Sequence, residues 1–339
     1  MRILVTGGLG FIGSNFIRMV LQSHPECKII NIDKVTYCAN FDNLKDIEKD
    51  PRYAFVKGDI CDAELVSKLV SQVDYVINFA AETHVDRSIH IGSRDFVMTN
   101  VVGVQTILDA VRRNSQIKKF VSVSTDEIYG SLELDDPNSW TEESPLEPNV
   151  PYAAAKAGGD LLCRAYFKTF GIPVVVTHCS NNYGPYQFPE KLIPFSILRV
   201  LNGQPIPLYG DGKYVRDWIY VLDHCEALMK LLLNGRPGEI YNVTGNQEMP
   251  NIEIAKLILR YLKKPETMIE FVKDRPGHDR RYSMHADKIK KEVGWQPKHK
   301  FEEALPKTIQ WYLDNQDWVA KLQKRNAEIN AHIEGKKNG

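Results

Sequence analysis

RILVTGGLGFIGSNF, residues 2 to 16, sets an apolar, β-branched run directly before a glycine-rich turn and the start of an amphipathic pattern. Arg2 to Thr6 reads as a buried strand, and Phe16, Ile17 and Val20 continue at helical spacing. Between them Gly7, Gly10 and Gly13 spell GxxGxxG. That spacing permits a tight turn, close backbone approach to a pyrophosphate at a helix's positive end, and close packing of helix on strand. A glycine-rich loop alone is a weak signal. Here a second strand answers it, Lys28 to Ile32, ending in Asp33 twenty residues beyond Gly13. A carboxylate there accepts from the adenosine ribose hydroxyls and repels a 2′-phosphate, so the expected cofactor is NAD rather than NADP. Lys34 next door weakens that exclusion slightly.

The alternation continues. Tyr53 to Lys57 reads as a third strand ending in Gly58, Asp59 and Ile60, the last two placed to flank an adenine ring. Asp62 caps a helix through Leu65, Leu69 and Val70, and Tyr75 to Phe79 forms a fourth strand reaching Ala80 and Ala81, small residues that let a flat group approach the backbone. The polar run from Glu82 to Ser88 is ill suited to a core, though an ordinary loop also accounts for it. One long helix is expected from Phe96 through Val111, carrying Thr99 and Asn100 beside the cofactor. Strands alternating with helices predict a Rossmann-type α/β fold, a doubly wound parallel sheet, with a smaller mixed α/β C-terminal substrate domain. Residues 1–185 are expected to bind NAD and carry the catalytic groups. Residues 186–322, where prolines at 189, 194, 205 and 207 loosen the alternation, mainly bind substrate, with some elements free to return to the first domain. Residues 323–339 read as a charged, frayed tail.

Composition narrows the class. Lys plus Arg and Asp plus Glu both number 43, so no net charge favours nucleic acid or an anionic membrane. No apolar run reaches eighteen residues and no signal peptide precedes the first strand, which predicts a cytoplasmic protein. The six cysteines show no CxxC spacing and no histidines at metal-site intervals, so they read as reduced thiols and no metal is expected.

Two stretches carry the chemistry. VSVSTDEIYG places Thr125, Asp126 and Glu127 just past the carboxyl end of a strand over Val121 to Ser124, where open α/β sheets bind ligands. YAAAK follows, its helix start marked by Pro148 and Pro151, with Tyr152 and Lys156 one turn apart on one face. A cation ~4 Å from the phenol at an effective dielectric of ~20 favours the phenolate by roughly 4 kcal/mol. At ~1.4 kcal/mol per unit, a phenol with pKa ~10 moves to about 7, low enough to take a proton from a sugar hydroxyl. In isolation YxxxK is more often a surface tyrosine and a solvated lysine.

Together GGLGFIGSNF, AAETHVDRSI, STDEIYG, YAAAK, CSNNYGPYQFPEKLIP, YGDGKYVRDW and DRPGHDRRY resemble the nucleotide-sugar 4,6-dehydratases of the extended short-chain dehydrogenase superfamily, over roughly residues 1 to 315. The complete Thr-Asp-Glu triplet separates these enzymes from the sister 4-epimerases. The resemblance implies a thymidine diphosphate-linked glucose as substrate, oxidised at C4, dehydrated across C5 and C6, and given the stored hydride back at C6. It makes Tyr152 the base for the 4-hydroxyl, Lys156 its activator and a ribose contact, Thr125 a partner of the 4-oxygen, Glu127 the C5 base and Asp126 the acid for the 6-hydroxyl. Phe11, Ile12, Thr36, Phe79 and Asn182 join the NAD contacts. Substrate contacts are implied at Thr83, His84, Asn181, Lys191 and Leu192. Further ones fall at Pro207, Leu208, Tyr209, Arg216, Asn251, Asp274, Arg275, His278 and Tyr282, with Arg216 and His278 facing the diphosphate. Arg280 and Arg281 read equally as a surface pair. A homodimer through the Phe96–Val111 and Tyr152–Phe170 helices is implied as well.

The chain departs from the family pattern at Thr83, Cys38-Ala39, Ala153 and Ala155, none of which removes a proposed catalytic group. Three alternatives stay open: a dehydratase acting on UDP- or CDP-glucose, a 4-epimerase, and a non-catalytic NAD-binding scaffold.

Overall fold

Past its exposed first residue, the run Arg2–Thr6 is buried along its whole length, as expected of a strand covered by helices on both faces. In the computed structural model, which describes residues 1–90, 92–274 and 277–322, it is the first of twelve strands. In chain order these are β1 (Arg2–Thr6), β2 (Lys28–Asp33), β3 (Tyr53–Lys57), β4 (Tyr75–Asn78), β5 (Lys119–Thr125), β6 (Val174–Cys179), β7 (Asn181–Tyr183), β8 (Ile206–Tyr209), β9 (Val215–Tyr220), β10 (Ile240–Val243), β11 (Glu248–Pro250) and β12 (Ile269–Val272). Seven form one parallel sheet in the order β10-β6-β5-β4-β1-β2-β3. The strand order reverses between β1 and β4, so a crevice opens at their carboxyl ends. This is the doubly wound sheet read from the sequence.

The helices follow from their apolar spacing and their caps. Phe11–Ser23 buries Phe16, Ile17, Val20 and Leu21 on one stripe. Asp62 caps Ala63–Val70 by accepting from Leu65 N–H at 3.0 Å. Pro151–Phe170 begins on its proline and ends at Gly171 in the left-handed region, φ 67°. The single helix expected from Phe96 to Val111 is instead three pieces: a turn at Arg94–Val97, a π-helical Met98–Gly103, and Val104–Arg112. The wide turn accompanies a side-chain contact. Asn100 accepts from Glu82 N–H at 3.1 Å and donates to Glu82 C=O at 3.0 Å, tying the helix to the loop after β4.

Beyond residue 185 the chain does two things. It builds a three-stranded sheet, β11-β9-β7, and the pair β12-β8 around a core containing Tyr183, Phe188, Trp218, Phe301 and Tyr312. It also returns to the large sheet, where β10 pairs with β6 and the helix Val221–Asn234 shares a core with Phe11–Ser23. The tail expected from residue 323 lies outside the described residues. Among the described residues no helix is long and apolar enough to cross a membrane.

Candidate active site

The carboxyl ends of β1, β2, β4, β5 and β6 converge on a cavity of about 330 Å³, within the range of small-molecule sites. Gly7 turns the chain out of β1 at φ +69°, and a Cβ there would lie 2.6 Å from Ala80 N. The helix that follows has no side-chain cap and no acidic residue in its first turn, so its N–H groups and positive end are left for an anion. Asp33 accepts from Leu9 N–H at 3.0 Å and from Val35 N–H at 2.8 Å, and burial pushes its carboxyl up against those bonds. Lys34 is paired with Asp59 at 2.7 Å, which sets its charge against a carboxylate. An uncapped helix end beside a buried carboxylate at the end of β2 suits a dinucleotide. The sequence-read cofactor residues all line this cavity: Gly7, Gly10, Phe11, Ile12 and Gly13 at one end, Asp33, Lys34, Thr36, Asp59 and Ile60 along one wall, and Phe79, Ala80, Ala81, Thr99, Tyr152, Lys156 and Asn182 toward the other.

Thr125, Asp126 and Glu127 line the same cavity. Thr125 closes β5 and Asp126 opens a single 3₁₀ turn, Asp126–Tyr129, in which Asp126 is buried and Glu127 is not. Asp126 is 3% exposed and its Oδ1 accepts from the Thr125 hydroxyl at 3.2 Å. Its Oδ2 has no hydrogen-bond partner among the described residues. Burial, then the Glu127 charge, push this carboxyl well above the usual range, with Arg216 opposing. Both forces favour the neutral form of the Asp126 carboxyl over the charged one.

Tyr152 and Lys156 reach the cavity from the Pro151–Phe170 helix, both buried. Here the structure corrects the electrostatic expectation. Burial and the Glu127 charge hold the Tyr152 phenol well above its ordinary range, with a Thr125 hydrogen bond opposing. Lys156 donates to the Val123 carbonyl at 2.6 Å, and burial lowers the affinity of its own amine for a proton. The expectation counted one opposite charge and left out the desolvation of both partners.

The chain matches the GDP-mannose 4,6 dehydratase family over residues 4–308. It is 48% identical over 323 residues to a dTDP-glucose 4,6-dehydratase of Actinoplanes sp., covering 94% of this chain and 99% of that protein. The chain belongs to the nucleotide-sugar 4,6-dehydratase family. Solved dehydratases superpose closely. The dTDP-glucose 4,6-dehydratase of Bacillus anthracis in complex with NAD has a TM-score of 0.89 and 49% identity, covering 95% of this chain and 99% of that one. DesIV of Streptomyces venezuelae, a dTDP-glucose 4,6-dehydratase with NAD and TYD bound, has a TM-score of 0.91 and 47% identity, covering 95% and 100%.

In this dehydratase-family chain the sequence-read substrate residues divide. Thr83, Thr125, Asn181, Lys191 and Leu192 line the cavity, and Lys191 Nζ donates to Thr83 C=O at 3.2 Å. The others lie outside it. His84 Nε2 is 3.5 Å from Glu190 Oε2. Arg216 is buried, donates to the carbonyls of Val215 at 2.7 Å and Asp279 at 2.8 Å, and lies over the Tyr282 ring at 4.0 Å. On the outer sheets Leu208 is core, Pro207 and Tyr209 flank it, and Asn251 N–H donates to Tyr214 C=O at 2.9 Å. His278 stacks on Tyr214 at 3.7 Å between ring centres and pairs with Asp274 at 2.8 Å. Arg280 and Arg281 pair with Asp211 and Glu248, each at 2.6 Å, the surface-pair reading. Arg275 lies outside the described residues. Sequence reading missed Glu82, Gln187, Phe188, Glu190 and Trp218, which also line the cavity. Glu190 accepts from the Tyr37 hydroxyl at 3.1 Å, across 153 residues. Only its adjacency to Lys191 in FPEKLIP marked it.

Proposed function

We propose that the chain converts dTDP-glucose to dTDP-4-keto-6-deoxyglucose with a resident NAD. The observation that carries this reading is the buried Asp126, its Oδ2 without a partner among the described residues, beside Glu127 in one cavity with Tyr152 and the glycine-turn end of the site. NAD, when bound, supplies reversible removal and return of a hydride. Gly10 to Gly13 and the helix start would take its pyrophosphate, Asp33 its adenosine ribose, and Lys156 and Asn182 its nicotinamide end.

The side chains of this protein handle the protons. Tyr152 removes the proton of the 4-hydroxyl, and the Thr125 hydroxyl bonds the 4-oxygen. With C4 a ketone, the C5 hydrogen is acidic, and Glu127 removes it as the C6–oxygen bond breaks. Asp126 gives its proton to the departing hydroxyl, which leaves as water. Two carboxyls serve opposite roles because their surroundings differ. Arg216 contributes through its charge on Asp126, from a place fixed over the Tyr282 ring outside the cavity.

The NAD-binding part is residues 1–185 with β10 and the Val221–Asn234 helix added, and the rest of 186–322 mainly holds the nucleotide sugar. A homodimer belongs to the same reading, supported by exposed Val97, Met98, Leu161 and Phe170 on the two expected helix runs. A cytoplasmic setting is supported by six free cysteines.

The deciding experiment incubates the protein with dTDP-glucose in deuterated water. Solvent deuterium at C5 and the original C4 hydrogen at C6 are expected. An unlabelled C5 means epimerisation, and turnover of UDP- or CDP-glucose in preference to dTDP-glucose moves the substrate assignment to that nucleotide.

A further inference from the structure

Behind the cavity lies a buried polar network that the proton transfers above do not use. Tyr152, Lys156 and Asp160 succeed one another every four residues on the Pro151–Phe170 helix, so they share one face. Asp160 is 5% exposed. Its Oδ2 accepts from the Ser124 hydroxyl at 2.6 Å and lies 3.4 Å from His178 Nε2. The other ring nitrogen of His178 is 2.7 Å from the Tyr129 hydroxyl, which donates to Asn242 Oδ1 at 2.9 Å. Groups from β5, β6, β10 and the Asp126–Tyr129 turn thus gather around this one carboxylate, with Ser124 hydrogen-bonded to it.

A buried carboxylate is costly to keep, and so is the buried ammonium one turn away. Burial favours the neutral amine of Lys156, and Asp160 is the largest charge acting against it. Two thiols also face Lys156, Cys179 from β6 and Cys163 from its own helix. Burial pushes both thiols well up, so neither carries charge at neutral pH. On the far side, Glu127 and Asp126 act on Tyr152.

We propose that Asp160 is a positioning residue of this site, the fixed counter-charge to Lys156, held by the hydrogen bond from Ser124. It touches neither the cavity nor the reacting atoms, and it acts by keeping a cation beside Tyr152 after burial has disfavoured one. The inference rests on the reading that Lys156 serves Tyr152 in the dehydration.

Its test is the titration of Lys156 itself, followed by nuclear magnetic resonance in the full chain with isotope-labelled lysine, the signal assigned by its loss in Lys156→Met. In Asp160→Asn the Lys156 midpoint should fall by roughly one pH unit or more, the size expected for losing a nearby opposite charge, while Asp160→Glu stays close to the parent. The acid limb of the kcat/KM profile should move up in Asp160→Asn, with rate recovered at high pH. A merely structural role would lower the whole profile and leave the limb in place. If Asp160→Asn does not fold, Ser124→Ala carries the test, with a smaller downward shift of Lys156 expected. An unmoved Lys156 midpoint in the variant that folds overturns the proposal. It leaves the dehydration standing, whereas a parent chain inactive on nucleotide sugars removes the dehydration and leaves the Lys156 result intact.

Discussion

Asp126 and Glu127 are neighbours in sequence, yet in one 3₁₀ turn the first is buried and the second is not, and the proposed chemistry rests on that difference. Replacing Glu127 by Gln should slow C5 proton exchange by about 10² to 10⁴, while the 340 nm signal of reduced cofactor still appears on adding substrate. The same change should move the acid limb of the pH profile downward, because the Glu127 charge is the second force, after burial, holding the Tyr152 phenol up. Tyr152→Phe should abolish the 340 nm signal altogether, and its rapid appearance would remove Tyr152 from the role. Arg216 is a different case. Tied to two carbonyls and stacked on Tyr282, it should cost roughly 2 to 3 kcal/mol of stability when replaced by Ala, measured by urea unfolding, because buried acceptors lose a charged donor. An unchanged unfolding midpoint with a raised KM would return it to the diphosphate.

At the scale of elements, the turn between β1 and the Phe11–Ser23 helix is set by contacts a side chain would break. Gly7→Ala meets both a left-handed backbone and Ala80 N at 2.6 Å, so it should weaken NAD binding and destabilise the fold by about 1 to 3 kcal/mol, seen in a dinucleotide titration and in thermal unfolding. The helix Val221–Asn234 reaches the cavity through His224, whose Nδ1 donates to Asn182 Oδ1 at 2.8 Å, since an amide oxygen only accepts. Burial lowers the His224 pKa from its ordinary 6.5 to about 3. Between those values the unfolded chain binds the proton and the folded one does not, so this contribution is fully present above pH 6.5 and is lost as pH falls. Comparing parent and His224→Asn by urea unfolding, the parent should lose about 1.4 kcal/mol more by pH 5.5. Equal slopes would mean the ring takes up a proton while folded.

For the whole molecule, the division into a cofactor part and a substrate part is one of labour. A fragment of residues 1–185 lacks β10, the edge strand beside β6, and the helix that shares a core with Phe11–Ser23. It should unfold without a cooperative transition in urea, and a sharp transition matching the parent's would make it an independent domain. Local signals were readable in the chain: β1 with its glycine turn, Asp33 at the end of β2, the triplet after β5, and Tyr152 with Lys156 at helical spacing. Each is encoded by residues within a few positions, where period and turn chemistry act directly on the backbone. The π turn at Met98–Gly103 escaped that reading because Asn100 is bound to Glu82, in a different loop. The sign of the electrostatics at Tyr152 escaped it too, since desolvation depends on every element packed around the phenol. By itself the sequence determined the alternation that builds a parallel sheet, the glycine turn with Asp33 that marks the expected cofactor end, and the local spacing of the triplet and of Tyr152 with Lys156. Only the tertiary structure decided that Asp126 is buried with one oxygen unpartnered among the described residues, that Arg216 is held by backbone carbonyls, and that Asp160, Ser124 and His178 come together. Those outcomes depend on contacts between segments tens to more than a hundred residues apart, and no spacing along the chain encodes them.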